Sequence, residues 1–183
     1  ARHMISKRRL IVGAGALICV AGARPARAAL PPISMARHEQ AMRRAIEEAR
    51  RNPVYPFGAV IVRADSGEVM ARGVNNSSDN PILHGEIACM NDYVRLNGNR
   101  DWGRMVLYTT GEPCSMCMSA LVWAGIGGVV FASSIDGIRR AGIEQINITA
   151  RAVAEASPFY SGLLLGGVLA AETDRMFMER RKS

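Results

Sequence analysis

Cysteine, histidine and aromatic residues are all scarce in this chain: four cysteines, three histidines and 5% aromatics among 183 residues. Beyond residue 28 only Cys89, Cys114 and Cys117 remain. An odd number, two of them in a Cys-x-x-Cys pair, argues against a disulfide framework and for metal. Acidic charge is also short, 16 groups against 23 basic ones, but the deficit is local. Residues 1–28 carry Arg2, Lys7, Arg8, Arg9, Arg24 and Arg27 and no acid, whereas the remainder holds 17 basic and 16 acidic residues. A near-neutral body is poor material for a phosphate-tracking surface, and Arg180-Arg181-Lys182 is too short to change that. Repeats and low-complexity tracts are absent. An apolar fraction of 49% supplies a core for one domain, and no disordered class fits.

The first residues read as a leader. Ala1-Arg2-His3 is expected to be a cloning remnant (residues 1–3) ahead of a natural start at Met4. A basic stretch, Lys7-Arg8-Arg9, precedes an apolar run from Leu10 to Ala23 that is too short and too rich in Gly and Ala for a comfortable membrane span. Ala26-Arg27-Ala28 places small residues where a signal peptidase reads, so residues 4–28 are expected to be a cleaved export signal. Arg8-Arg9 followed by Leu10-Ile11-Val12 resembles a twin-arginine signal, which moves proteins already folded. The expectation is a periplasmic protein with no membrane attachment after cleavage, its domain running over 29–183. A Sec signal or an uncleaved anchor is the alternative.

Periodicity organises the rest. Met35, His38, Met42, Ala45, Ile46 and Ala49 recur at helical spacing, so a helix is predicted over 34–51, with Asn52-Pro53 as its stop. The apolar runs 58–64 and 69–74, joined by Asp65-Ser66-Gly67-Glu68, read as a hairpin. Asn75 to Pro81 has loop composition. Helices are predicted over 84–96, 114–123, 149–156 and 168–181, and strands over 105–109 and 129–132, with a short apolar piece at 163–165. Pro113 is expected in the first turn of its helix. Residues 133–145 show no readable register. A hairpin followed by alternating strands and helices gives an α/β fold, a mixed five-stranded sheet between helices in three layers. Trp102 and Trp123 are expected to pack structurally.

Two short segments carry chemistry. Cys114 and Cys117, three apart at a helix start, present both sulfurs on one face, where the helix N-terminus favours thiolate. His84 adds an imidazole from the mouth of another helix, completing a donor set suited to Zn2+. His38 lies far upstream, and Cys89, five positions after His84, reads as a buried core thiol. Water is then the simplest fourth ligand, and an open position marks catalytic zinc. At the helix entrance Glu86 can point at that water, take its proton and return it to a ring nitrogen and a departing amine.

His84-Gly85-Glu86 followed by Pro113-Cys114-Ser115-Met116-Cys117 matches the signature of the zinc deaminases. Residues 34–183 resemble the cytidine deaminase-like superfamily. The resemblance implies hydrolytic deamination of a free nucleobase or nucleoside with Glu86 as the catalytic group. Pro56-Phe57-Gly58-Ala59-Val60-Ile61-Val62, Asn75-Asn76 and Glu112-Pro113-Cys114 look like bacterial guanine deaminases, whereas Leu83-His84-Gly85-Glu86-Ile87 looks like fungal cytosine deaminases. A guanine-like purine is therefore expected, with cytosine or cytidine as the alternative. By resemblance Asn75, Phe57, Gly85, Glu112, Asp136, Phe159 and Tyr160 are candidates for the substrate pocket. Asn75 has a turn former as its alternative reading, and Asp136, Phe159 and Tyr160 read equally as ordinary surface or core residues. The last helix, around Gly167 to Glu172, is similar to that of tRNA adenosine deaminases, but the near-neutral body argues against stable nucleic-acid binding. A homodimer is implied by the same resemblance. A zinc-stabilised binding module and a deaminase acting on nucleic acid remain as other classes.

Overall fold

A computed structural model describes residues 30–182; the expected leader lies outside the described residues. The first helix, α1 (Met35–Ala49), starts at Ser34 and buries Ala41, Met42, Ala45, Ile46 and Ala49. Asn52 ends it by accepting from the amides of Val54 (3.2 Å) and Tyr55 (3.0 Å) while donating to the carbonyl of Asn75 (2.9 Å). The hairpin follows as β1 (Gly58–Arg63) and β2 (Val69–Val74), then α2 (Gly85–Asn97), β3 (Met105–Gly111) and α3 (Ser115–Ala124). The chain continues through β4 (Gly128–Ser133), α4 (Ile135–Arg140), α5 (Ala150–Glu155), β5 (Leu163–Leu165) and α6 (Ala170–Met178).

The strands form one mixed sheet in the order β2-β1-β3-β4-β5, with β1 antiparallel to both β2 and β3 and with β3, β4 and β5 parallel. Strand alternation sorts the core into two layers. Val60, Val62, Val106, Tyr108, Val130 and Ala132 face α1, while Ala59, Ile61, Met105, Leu107 and Val129 face residues of α2 and α3. Close approach of the layers depends on glycine at one place in particular. A Cβ on Gly73 would lie 2.3 Å from the Cys89 amide nitrogen and 2.4 Å from the Gly85 carbonyl oxygen, so α2 rests directly on β2. Cys89 is fully buried in this layer, as a core thiol should be.

Two expectations need correction. Trp102 is buried, its ring 4.6 Å from that of Tyr93. Trp123 is not a core residue: it is 78% exposed on α3, its ring 5.2 Å from that of Phe159. Pro113 stands just before the helix cap rather than in the first turn, because Cys114 itself is the N-cap of α3. Residues 133–145, unreadable in sequence, contain α4, capped by Ser134 and closed by Gly142 at φ 80°.

On the α1 side His38 Nδ1 lies 3.0 Å from the Tyr108 hydroxyl. Burial, and then the Arg37 charge, hold the imidazole below its ordinary 6.5, so the folded state keeps it neutral. The unfolded chain takes up that proton more readily. Folding stability from this group is therefore complete above 6.5 and lost as pH falls below it. Melting curves at about pH 7.5 and about pH 5.5 should show a smaller acid-induced drop in Tm for His38→Gln than for the unaltered protein.

Candidate metal and catalytic site

The site forms where two helix entrances meet at the carboxyl end of β3. His84 is the N-cap of α2 and Cys114 the N-cap of α3, both in extended conformation, and neither side chain caps its own helix. Both are therefore free to turn outward to a shared ligand. His84 Nδ1 lies 3.6 Å from Cys114 Sγ and 3.6 Å from Cys117 Sγ. Zinc bonds of about 2.3 Å to sulfur and about 2.0–2.1 Å to nitrogen at a tetrahedral angle give a ligand edge of about 3.6 Å, so the donor set fits zinc. Among the described residues these three form the group whose donor atoms lie within 4.8 Å of one another; Cys89, buried in the core, is not part of it.

The protons in this cluster follow the same logic. A hydrogen bond from Cys117, assisted by His84, draws the Cys114 thiol down to about 4, and donation to Cys114 with burial pushes Cys117 up. The bond to Cys114 raises His84. Ligands that share protons this closely release them on metal binding.

Glu86 lies in the first turn of α2, only 3% exposed, its Oε1 accepting from the Thr109 hydroxyl at 3.1 Å. Burial raises its pKa, opposed by its own backbone amide, while the Cys114 charge raises it further. A carboxylate held in this way can take up a proton more readily than one in water. Thr109 is a positioning residue that the motif reading missed; its place at the end of β3, on the α2 side, is the alternation that could have revealed it.

A cavity of about 190 Å³ opens beside the cluster. Of the expected substrate residues, Phe57, Asn75 and Glu112 line it together with His84, Glu86 and Cys114. Asn75 forms the turn that its composition suggested, and its side chain also reaches the cavity. Its Oδ1 accepts from the amide and hydroxyl of Ser77, both at 2.9 Å, which leaves Nδ2 as the donor it can offer. Glu112 spends both oxygens elsewhere, on the amides of Ile135 and Ala150 at 2.9 Å each. It therefore fastens the starts of α4 and α5 rather than offering a carboxylate to a ligand. Gly85 has no side chain to present and acts sterically. A Cβ there would sit 2.5 Å from the Phe57 carbonyl oxygen, which accepts from the Asn75 amide at 2.9 Å.

Asp136, Phe159 and Tyr160 do not line the cavity. The Asp136 side chain is 73% exposed on α4 near Arg139, Phe159 lies out with Trp123, and Tyr160 packs against the α2–α3 core layer. The residues that the sequence did not disclose are Tyr55 and Ser77, neighbours of recognised motifs, and Ile143, Glu144 and Gln145 on the segment after α4.

With this geometry the chain belongs to the cytidine and deoxycytidylate deaminase family: the model of that family's zinc-binding region matches residues 35–133. A guanine deaminase of Bacillus subtilis is 35% identical over 92 residues, 49% of this chain and 58% of that protein. A probable cytosine deaminase of Schizosaccharomyces pombe is 29% identical over 92 residues, 50% of this chain and 56% of that protein. A tRNA-specific adenosine deaminase of Rickettsia bellii is 29% identical over 99 residues, 51% and 68% of the two chains. The chain thus spans little more than half the length of the first two. Among solved structures, a guanine deaminase from Nitrosomonas europaea shares the fold with a TM-score of 0.67 at 22% identity, over 97% of this chain and 98% of that one.

Two substitutions test this construction. Cys114→Ala should leave the purified protein without stoichiometric zinc, read by metal analysis. Gly85→Ala should lower stability by about 1–3 kcal/mol, since the Phe57 carbonyl must move; a denaturant melt unchanged from that of the unaltered protein would refute the close contact.

Proposed function

We propose that this chain hydrolytically deaminates a free nucleobase or nucleoside, exchanging an exocyclic amine for a carbonyl oxygen and releasing ammonia. The observation that carries the reading is the buried Glu86 carboxylate beside a three-ligand metal cluster, at the floor of a small cavity. When bound at His84, Cys114 and Cys117, zinc would supply a water acidified toward neutrality. Glu86 takes a proton from water as the water oxygen adds to the ring carbon and delivers it to the adjacent ring nitrogen; it then takes the proton of the new hydroxyl and gives it to the amine, which leaves as ammonia when the C–N bond breaks and the carbonyl forms. Thr109 keeps the carboxylate aimed during both transfers, and the Asn75 amide orients the ring by donating to an acceptor on it.

The cavity's size and lining support a small neutral substrate. At about 190 Å³ it falls below the range of about 300–1,000 Å³ common for larger ligands. Among the described residues Glu86, Glu112 and Glu144 line it and no lysine or arginine does, which disfavours a phosphate-bearing substrate and ranks a tRNA substrate low despite the tRNA-specific relative. A guanine-like purine stands ahead of cytosine or cytidine, on the closer similarity to the Bacillus protein and on the Pro56–Val62 and Asn75-Asn76 segments. Glu144 adds an acceptor for the ring N–H groups of such a base. Export through the twin-arginine-like leader and a homodimer belong to the same reading.

Ammonia release should be measured against guanine, cytosine, adenine, isoguanine and their nucleosides. Glu86→Ala is expected to retain zinc and lose at least about a hundredfold in turnover on the preferred compound. Near-normal turnover in that variant would remove Glu86 from the mechanism, and silence across the panel in the zinc-loaded unaltered protein would remove the reading itself.

A further inference from the structure

The cavity has two walls, and both are tied to the end of the C-terminal helix. One wall contains Tyr55 and Phe57; the other contains Ile143, Glu144 and Gln145, in the segment that leaves α4 through Gly142. Phe177, fully buried on α6, packs its ring at a 48° tilt against that of Phe57, centroids 4.9 Å apart, and packs with Ile138 and Ile143. One turn later Arg180 donates from Nη1 to the Val54 carbonyl at 3.4 Å and from Nη2 to the Gly142 carbonyl at 3.3 Å. Its guanidinium also lies over the Tyr55 ring, 5.8 Å from the centroid.

We propose that Arg180 is a positioning residue for the substrate pocket, a fork that sets the spacing between the Tyr55–Phe57 wall and the Ile143–Gln145 wall. The proposal rests on the deaminase reading for its substrate but on the geometry alone for the clamp. Glu112 fixes both ends of the second wall, at Ile135 and Ala150, and leaves the stretch between them to be held from outside. Arg180 supplies that hold. Each of its two hydrogen bonds is long and individually weak. Their value is geometric: a planar guanidinium reaches two carbonyls on separate segments at once, whereas a lysine ammonium on a flexible stem has no such fixed fork. Release of one wall would displace Glu144 and Gln145 from a bound base without touching the metal ligands or Glu86. Binding should therefore weaken while the chemical step continues.

The full chain, zinc-loaded, is compared with Arg180→Ala and Arg180→Lys. In Arg180→Ala, KM for the preferred substrate should rise about tenfold with kcat within about twofold and zinc content unchanged. Arg180→Lys restores charge without the fork and should leave KM raised. Hydrogen–deuterium exchange should quicken at the amides of 142–145 in both variants, with the α1 amides unaffected. Unchanged KM with unchanged exchange overturns the clamp, as does a fall in kcat that tracks lost zinc, or exchange that quickens throughout the molecule. If the unaltered protein deaminates nothing on the panel, the functional reading fails by itself. The exchange pattern then decides the clamp alone, faster exchange confined to 142–145 supporting it and no change refuting it.

Discussion

Everything in the active region depends on two helices starting within a few ångströms of each other. His84 and Cys114 are thirty positions apart, and each is the residue on which its helix begins. An N-cap residue is still extended, so its side chain can leave the helix axis; the amides of the first turn behind it make the surroundings favourable to negative charge. Placing two such caps face to face brings an imidazole and a pair of thiols to tetrahedral spacing and sets the Glu86 carboxylate in the first turn beside them. The sheet makes this convergence possible. Strand β3 lies in the middle, antiparallel to β1 and parallel to β4, and α3 follows directly from its carboxyl end. The glycine at position 73 lets α2 sit close enough on β2 to bring its entrance to that same end.

A division of labour follows from this arrangement. Glu86 and Cys117 are buried at the helix entrances, Glu86 against Thr109 of β3, while His84 is half-buried at the rim of the cluster. The walls that would meet the rest of a substrate are built differently. They are loop segments, 53–57, 75–77 and 141–149, held by isolated polar contacts from Asn52, Thr110, Glu112 and Arg180. The cluster and the walls are thus held by different means, the first by two helix entrances and the second by these fastenings. Loops on a rigid scaffold can change their lining without disturbing the metal centre, which suits a fold whose relatives include guanine, cytosine and tRNA adenosine deaminases.

Much of this was legible in the amino-acid order, for identifiable reasons. Helical spacing of Met42, Ala45, Ile46 and Ala49 and the alternation in 58–74 report burial directly, and both elements formed where expected. The metal-binding residues were legible because coordination demands particular side chains at particular intervals. Residues 133–145 were opaque because α4 is short and carries Gly137 within it, too brief for a periodic signal. The wall residues Ile143 to Gln145 therefore went unseen. Glu112 was a pocket candidate by resemblance, and it does border the cavity, yet its partners, the amides of Ile135 and Ala150, lie 23 and 38 positions downstream. Nothing local encodes such bonds. Trp123 shows the opposite error: a large apolar side chain normally packs, and here it faces out with Phe159.

The central claim is a metal ion with two sulfurs, one imidazole and a place left for water. X-ray absorption at the zinc edge of the purified protein reads that ligand set directly. Two sulfur scatterers at about 2.3 Å and two nitrogen or oxygen scatterers at about 2.0–2.1 Å are the expected result. A third sulfur, whether from Cys89 or from a methionine thioether, would contradict the account, and so would zinc absent from the protein altogether.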